Sequence, residues 1–365
     1  MQLVDWRLAA ATGTRLVPPG PKVGLDEAVD VVAQLRRSAA AADEHVAAIT
    51  GLDAAAHSAS TVVVDRPEWI RANVEGFRRL VDPLVEALLE RRGGSKPSSL
   101  VTAVGSRVSG IEIGVLLGYL ATRVLGQFEL LGPPPSPDGA PPDQPGGRLS
   151  LVAPNVVATE RALGVDPRDF RLWVCLHEVT HRTQFAAAPW LHEHVEGLLR
   201  EFVLASDLDA GALLAKFREA LSGIAGAVRG GQAPSIIELI QTPEQRAILD
   251  RLTGLMSLLE GHADVVMDAA GAAVIPSVAT IRARFDQRRR DAAPLARVVR
   301  RLLGLDMKLR QYAEGAQFVR AVVDEIGMAG LNVVWSGPDQ LPTGEEIRDP
   351  HRWLDRIGDP PAVSA

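Results

Sequence analysis

The sequence predicts an α+β protein that is predominantly helical. Three observations carry that prediction. Apolar residues recur at helical spacing over long stretches, at 25–50, 68–92, 170–185 and 248–266. A single short segment, Arg148-Leu149-Ser150-Leu151-Val152, alternates as a strand does. Proline and glycine gather in a few places, above all between Gly132 and Gly147, which leaves room for long uninterrupted helices.

Taken in order, the first 130 or so residues read mainly as helices, at 25–50, 68–92 and 99–131. Asp65-Arg66-Pro67-Glu68-Trp69 is a turn that opens the second. The stretch 111–130 is the most membrane-like, but Glu112, Arg123, Gln127 and Glu129 interrupt it before about 18 apolar residues accumulate. Gly110, Gly114 and Gly118 recur every fourth residue, which lets another helix approach closely. The Pro/Gly-rich loop 132–147 is the best boundary in the chain. It separates a helical N-terminal region, 1–131, from a second region, 148–365. The expected arrangement is still one integrated unit, with the N-terminal helices packed as a layer behind the second region.

Beyond the strand at 148–152, a helix is expected from Asp166-Pro167-Arg168-Asp169. Aspartate caps it, proline suits the first helical position, and an acid sits in its first turn. It ends in Ala186-Ala187-Ala188 before Pro189. A loop at 230–234 follows. Thr242-Pro243-Glu244-Gln245 then opens another helix with a capping box. Its buried stripe is Ile248, Leu252, Leu255, Met256, Leu259, Ala263 and Val266. A helix at 306–328, an irregular tail at 335–350 and a short amphipathic piece at 351–357 complete the chain.

The first of these helices carries His177-Glu178-Val179-Thr180-His181. Histidines four apart share one helix face, so their imidazoles can converge on one ion at the roughly 2.0–2.1 Å of zinc–nitrogen bonds. Glu178 lies beside that ion without binding it, placed to take a proton from a metal-bound water. The competing reading is a buried helix with two hydrogen-bonded histidines, which leaves polar groups to satisfy. A catalytic zinc needs a third protein ligand. His192 and His194 lie beyond Pro189 and read as a polar helix face. Glu260 is the better candidate. Asp264 shares its face one turn later and can accept the free N–H of a ligand histidine. His262 is turned roughly 200° from Glu260 around the helix and is not expected on the same ion.

His177-Glu178-x-x-His181 followed by Glu260-x-x-x-Asp264 resembles the glutamate-zincin pattern of thermolysin-like metallopeptidases. The resemblance implies a zincin-like core with a small sheet. It implies zinc held by His177, His181 and Glu260, with Glu178 as general base and Asp264 supporting a ligand histidine. One departure is Leu259, where that pattern commonly has Asn before the ligand glutamate. Zincins often place an edge strand before the metal helix, to which an extended peptide can add; 149–152 is the candidate here. A resemblance over more of the chain runs through Pro154-Asn155-Val156-Val157-Ala158, His177 to Phe185, Glu260-Gly261-His262, and Lys308-Leu309-Arg310-Gln311-Tyr312 through Trp353. These stretches are similar to a family of zincin-like hydrolases of high-GC bacteria, labelled by association with deazaflavin-cofactor biosynthesis.

The function this predicts is a zinc-dependent hydrolase, a metallopeptidase or amidase acting on a peptide or small amide. The alternatives are a small-metabolite hydrolase and a non-catalytic zinc-stabilised scaffold. The developing oxyanion needs a donor besides zinc. The chain has two tyrosines, Tyr119 and Tyr312. Tyr312 lies in a stretch that resembles the hydrolase family and is the first choice. Arg310 is a candidate for orienting a substrate carboxylate. The net charge of −6 and the lack of an aromatic stacking set argue against nucleic acid. The basic residues at 282–301 read as a solvated helix face. One cysteine, Cys175, allows no intrachain disulfide, which fits a reducing cytoplasm, and it reads as a buried thiol. The N-terminus lacks the pattern of a signal peptide.

Overall fold

The computed structural model describes residues 4–52, 60–91, 99–129, 147–205, 242–290 and 305–358. The loops expected at 132–146 and 230–234, and the basic residues 291–301, lie outside these. So do the side chains of Arg310 and Tyr312.

The chain opens with α1 (Trp6–Leu16) and α2 (Leu25–Thr50), then strand β1 (Thr61–Val64). Helices α3 (Arg66–Arg91) and α4 (Ser99–Leu120) lead to strands β2 (Gly126–Glu129) and β3 (Arg148–Val152). Next come α5 (Ala153–Leu163), α6 (Pro167–Ala187), α7 (Trp190–Leu204), α8 (Pro243–Val274), α9 (Val278–Arg290) and α10 (Leu305–Leu331). Two 3₁₀ turns, Asn332–Trp335 and Pro338–Gln340, precede α11 (Gly344–Arg348) and α12 (Pro350–Ile357). The fold is therefore α+β and predominantly helical, as the sequence predicts.

Among the described residues the sheet has three strands in the order β1-β3-β2. β1 runs parallel to β3, pairing Thr61 with Leu149 and Val64 with Val152. β2 runs antiparallel to it, pairing Gly126 with Leu151. This corrects the expectation for 149–152. Both sides of β3 are hydrogen-bonded within the sheet, so it offers no edge to an added strand. β2 is an edge strand in its place. It falls inside the stretch expected to be helical to residue 131. The helix stops at Leu120, where the Thr122 hydroxyl donates to the Tyr119 carbonyl at 2.8 Å and turns the chain. The sheet takes β1 and β3 from opposite sides of the 132–147 segment and so spans the boundary expected there.

One face of the sheet joins the main core. Leu149, Leu151 and Phe128 pack with Leu35 and Val46 of α2, Phe170 and Leu176 of α6, Leu255 of α8 and Phe318 of α10. Fully buried side chains of this size are each worth about 1.5–3 kcal/mol over exposure. The other face, through Val64 and Val152, packs with Trp6, Trp69, Ile70, Ile113 and Leu117 of α1, α3 and α4. The glycine stripe of α4 acts here as expected. A Cβ on Gly114 would lie 2.5 Å from the Ala9 carbonyl oxygen, so α1 crosses α4 at backbone contact. Among the described residues, no helix is long and apolar enough to cross a membrane.

The two helices that frame the site form where their caps predict. The Asp166 carboxylate accepts the Asp169 N–H at 2.9 Å, with Pro167 in the first turn of α6. In α8 the Thr242 hydroxyl accepts the Gln245 N–H at 3.0 Å, and the Gln245 carbonyl accepts the Thr242 N–H at 3.4 Å, closing the capping box. α8 is then pinned against α10 by two glycines. A Cβ on Gly261 would lie 2.2 Å from the Gly315 carbonyl carbon, so the backbones touch one residue beyond Glu260.

Candidate metal centre

Helix α6 presents His177 and His181, and α8 presents Glu260 opposite them. One donor atom from each of the three lies within 4.8 Å of the others. The two Nε2 atoms are 3.2 Å apart. Glu260 Oε2 is 3.6 Å from His177 Nε2, and its Oε1 is 3.8 Å from His181 Nε2. Bonds of about 2.0–2.1 Å in tetrahedral directions would put donor atoms roughly 3.3 Å apart, so the residues present fit a zinc ion. His177, His181 and Glu260 are each partly exposed, which leaves the centre open on one side.

Glu178 precedes His181 by three residues on α6, and its carboxyl lies against Gly126 of the sheet. It is buried, and its Cδ would lie 2.6 Å from a Cβ on Gly126 of β2. Only a glycine at the start of this edge strand leaves room for the carboxyl. Burial, and behind it the charge of Glu260, pushes Glu178 up to about 8.

α6 is held in position by buried charges on its outer side. The Arg182 guanidinium donates to the Thr61 hydroxyl of β1 at 2.8 Å and pairs with Asp43 of α2. Arg171 pairs with Glu160 of α5 at 2.5 Å. Cys175 is buried against α2, with its thiol toward the Leu35 carbonyl, and burial pushes it far above the usual thiol range.

The other expected residues fall as follows. Asp264 sits half-buried on α8, one turn beyond Glu260. Tyr312 lies on α10, three residues before Gly315. Tyr119 ends α4 with the Arg123 guanidinium over its ring at 5.1 Å. His262 is fully buried, on a different side of α8 from Glu260. Burial, and behind it His181, pushes it down to about 3. His192 and His194, expected on a polar helix face, lie on α7. Both are partly buried. The His192 ring packs against Phe185 at 4.8 Å and Phe128 at 6.0 Å.

Two residues at the centre escape sequence reasoning. One is Gly126. The other is Gln184, fully buried, whose Oε1 is 3.0 Å from His181 Nδ1. Gln184 follows His181 by three residues and so shares its face, which is the signal that could have found it.

A crystal structure from Chloroflexus aurantiacus, described as "a putative hydrolase with a novel fold", is similar over nearly the whole molecule. It is 32% identical, with a TM-score of 0.67, and the alignment covers 98% of this chain and 99% of that one. No curated protein sequence matches at a significant level. The family model described as zincin-like metallopeptidase matches residues 4–354, from α1 through α12 and across both helices of the His-His-Glu centre. With that span and that geometry, the chain belongs to the zincin-like metallopeptidase family.

Proposed function

We propose that this protein is a zinc-dependent hydrolase that cleaves a peptide or small amide bond. The observation that carries the reading is the convergence of His177, His181 and Glu260 on one point, with a buried Glu178 beside it. When bound, zinc supplies a Lewis acid that acidifies a water and polarises a carbonyl. His177 and His181 would hold the ion from α6, and Glu260 would hold it from α8. Glu178 takes the proton of the attacking water on its carboxylate and returns it to the leaving nitrogen. Asp264 is assigned to the support of a ligand histidine, consistent with its place one turn from Glu260. Tyr312 is assigned as donor to the developing oxyanion.

The test is metal content of the natively purified protein by mass spectrometry, followed by digestion of a peptide library with and without chelator. One zinc per chain with chelator-sensitive cleavage is the expected result. Absence of metal even after zinc is added would overturn the reading. Zinc without cleavage of any peptide or amide would leave a small-metabolite hydrolase or a zinc-stabilised scaffold.

A further inference from the structure

We propose that Gln184 is a positioning residue of the metal centre: its amide fixes the tautomer of His181 and ties the ligand helices α6 and α8 together. The inference rests on the zinc reading above and assigns a partner that reading lacks.

Gln184 is fully buried, so each of its polar atoms must find a partner within the protein. One end of the amide is 2.8 Å from the Leu259 backbone carbonyl oxygen. A carbonyl oxygen only accepts, so that end of Gln184 must be the NH₂. The other end is then the oxygen, which also only accepts. It lies 3.0 Å from His181 Nδ1, so His181 must carry its hydrogen on Nδ1. That leaves Nε2 bare, and Nε2 is the atom that faces His177 and Glu260. A backbone carbonyl on one helix thus determines which nitrogen of a histidine on another is free to bind metal.

The second hydrogen of the amide is spent as well. Gln184 Nε2 is 3.0 Å from Nδ1 of the buried His262. Nδ1 must accept, so His262 carries its hydrogen on Nε2. That nitrogen has no hydrogen-bond partner among the described residues, and the ring stands edge-on to Trp335 at 5.4 Å. Gln184 is therefore gripped on the α8 side by two groups flanking Glu260: the carbonyl of the residue before it and the ring of the residue two after it. A shift of α8 that moved Glu260 would break the bonds that orient His181. One neutral side chain links two of the three ligands without adding charge beside Glu178 and Glu260.

The experiment uses the full chain with ¹⁵N-labelled histidine. Long-range ¹H–¹⁵N correlation spectra of the metal-free protein report which nitrogen of each ring is protonated, and His181→Asn assigns the signal. Wild type should show His181 with hydrogen on Nδ1. Gln184→Met, which keeps length and removes the amide, should show a mixture of tautomers and a zinc dissociation constant raised roughly 10–100-fold. Hydrogen on Nε2 of His181 in the wild type would overturn the inference, whether or not any variant folds. A folded Gln184→Met with unchanged tautomer or unchanged zinc affinity would overturn it too, with zinc binding left intact. Wild type that takes up no zinc would instead overturn the zinc reading, while the tautomer still decides the hydrogen-bond assignment.

Discussion

Gly126 and Glu178 are in contact, with the Glu178 carboxyl lying where a side chain at 126 would be: a Cβ there would be 2.6 Å from Cγ and from Cδ. The edge strand β2 and the metal helix α6 thus meet at the residue assigned as base. A Gly126→Ala substitution meets only the end of one side chain, which can swing aside, so the fold should tolerate it. The carboxyl should move by about an ångström, a displacement that can cost roughly 100-fold in rate. The expected result is wild-type zinc content and melting temperature with strongly reduced turnover. Unreduced turnover would mean that Glu178 does not act from this position.

Gly261→Ala should behave in the opposite way. Here the added Cβ meets the backbone of α10, at 2.2 Å from the Gly315 carbonyl carbon and 2.5 Å from the Ala316 nitrogen, and neither can swing aside. Helices α8 and α10 must separate, at a cost of about 1–3 kcal/mol or more for forced overpacking. Urea denaturation should show the lost stability. Zinc affinity should fall with it, because Glu260 precedes the substituted residue.

The contrast between these glycines also explains what the sequence could and could not disclose. Helices α6 and α8 were legible because their caps are local: Asp166 with Pro167, and Thr242 with Gln245, act within one turn. The pairing of His177 with His181 was legible for the same reason. Strand β1 had a local signal in four consecutive β-branched residues, Thr61 to Val64, yet four residues are too few to outweigh the helices around them. β2 was hidden because its four residues, Gly126 to Glu129, hold a single large apolar side chain, Phe128, too little for an alternating signal. Which strand is the edge depends on β1 and β2 both joining β3, a long-range fact with no local trace. Gln184 is ordinary in sequence, and it acquires a role only when the Leu259 carbonyl arrives from 75 residues away.

Glu178→Gln and Glu260→Ala should separate base from ligand. The first keeps the shape of the side chain and removes its proton-accepting form. Zinc content should match wild type, while hydrolysis should fall by about 10²–10⁴-fold, the usual contribution of a general base. The second leaves His177 and His181 without their partner on α8, so zinc should be lost on dialysis. Metal analysis beside a cleavage assay checks both. Undiminished hydrolysis by Glu178→Gln would remove its assigned role, and full zinc retention by Glu260→Ala would require a different third ligand.

The C-terminal elements give a prediction of pH dependence that is independent of the metal. Arg356 of α12 donates to Glu346 of α11 at 2.6 Å and 3.1 Å, and the Thr343 N–H donates to the same carboxylate at 2.7 Å. Burial alone would raise the Glu346 carboxyl. The hydrogen bonds from Arg356 and Thr343, with the Arg356 charge, outweigh it and hold the group below its ordinary 4.5. A carboxylate depressed on folding binds fewer protons in the native chain than in the unfolded one at acid pH. Its stabilising effect is therefore complete above pH 4.5, and is lost as pH falls below that value through the depressed native pKa. The pair pins α12, whose Trp353 is fully buried against Phe318 of α10 at 5.6 Å. Melting temperatures of wild type and Glu346→Gln should differ by a constant amount at neutral pH, with the variant lower, and should converge in acid. A difference that persists unchanged well below pH 4 would show that packing, and not the Arg356 ion pair, is what the substitution removes.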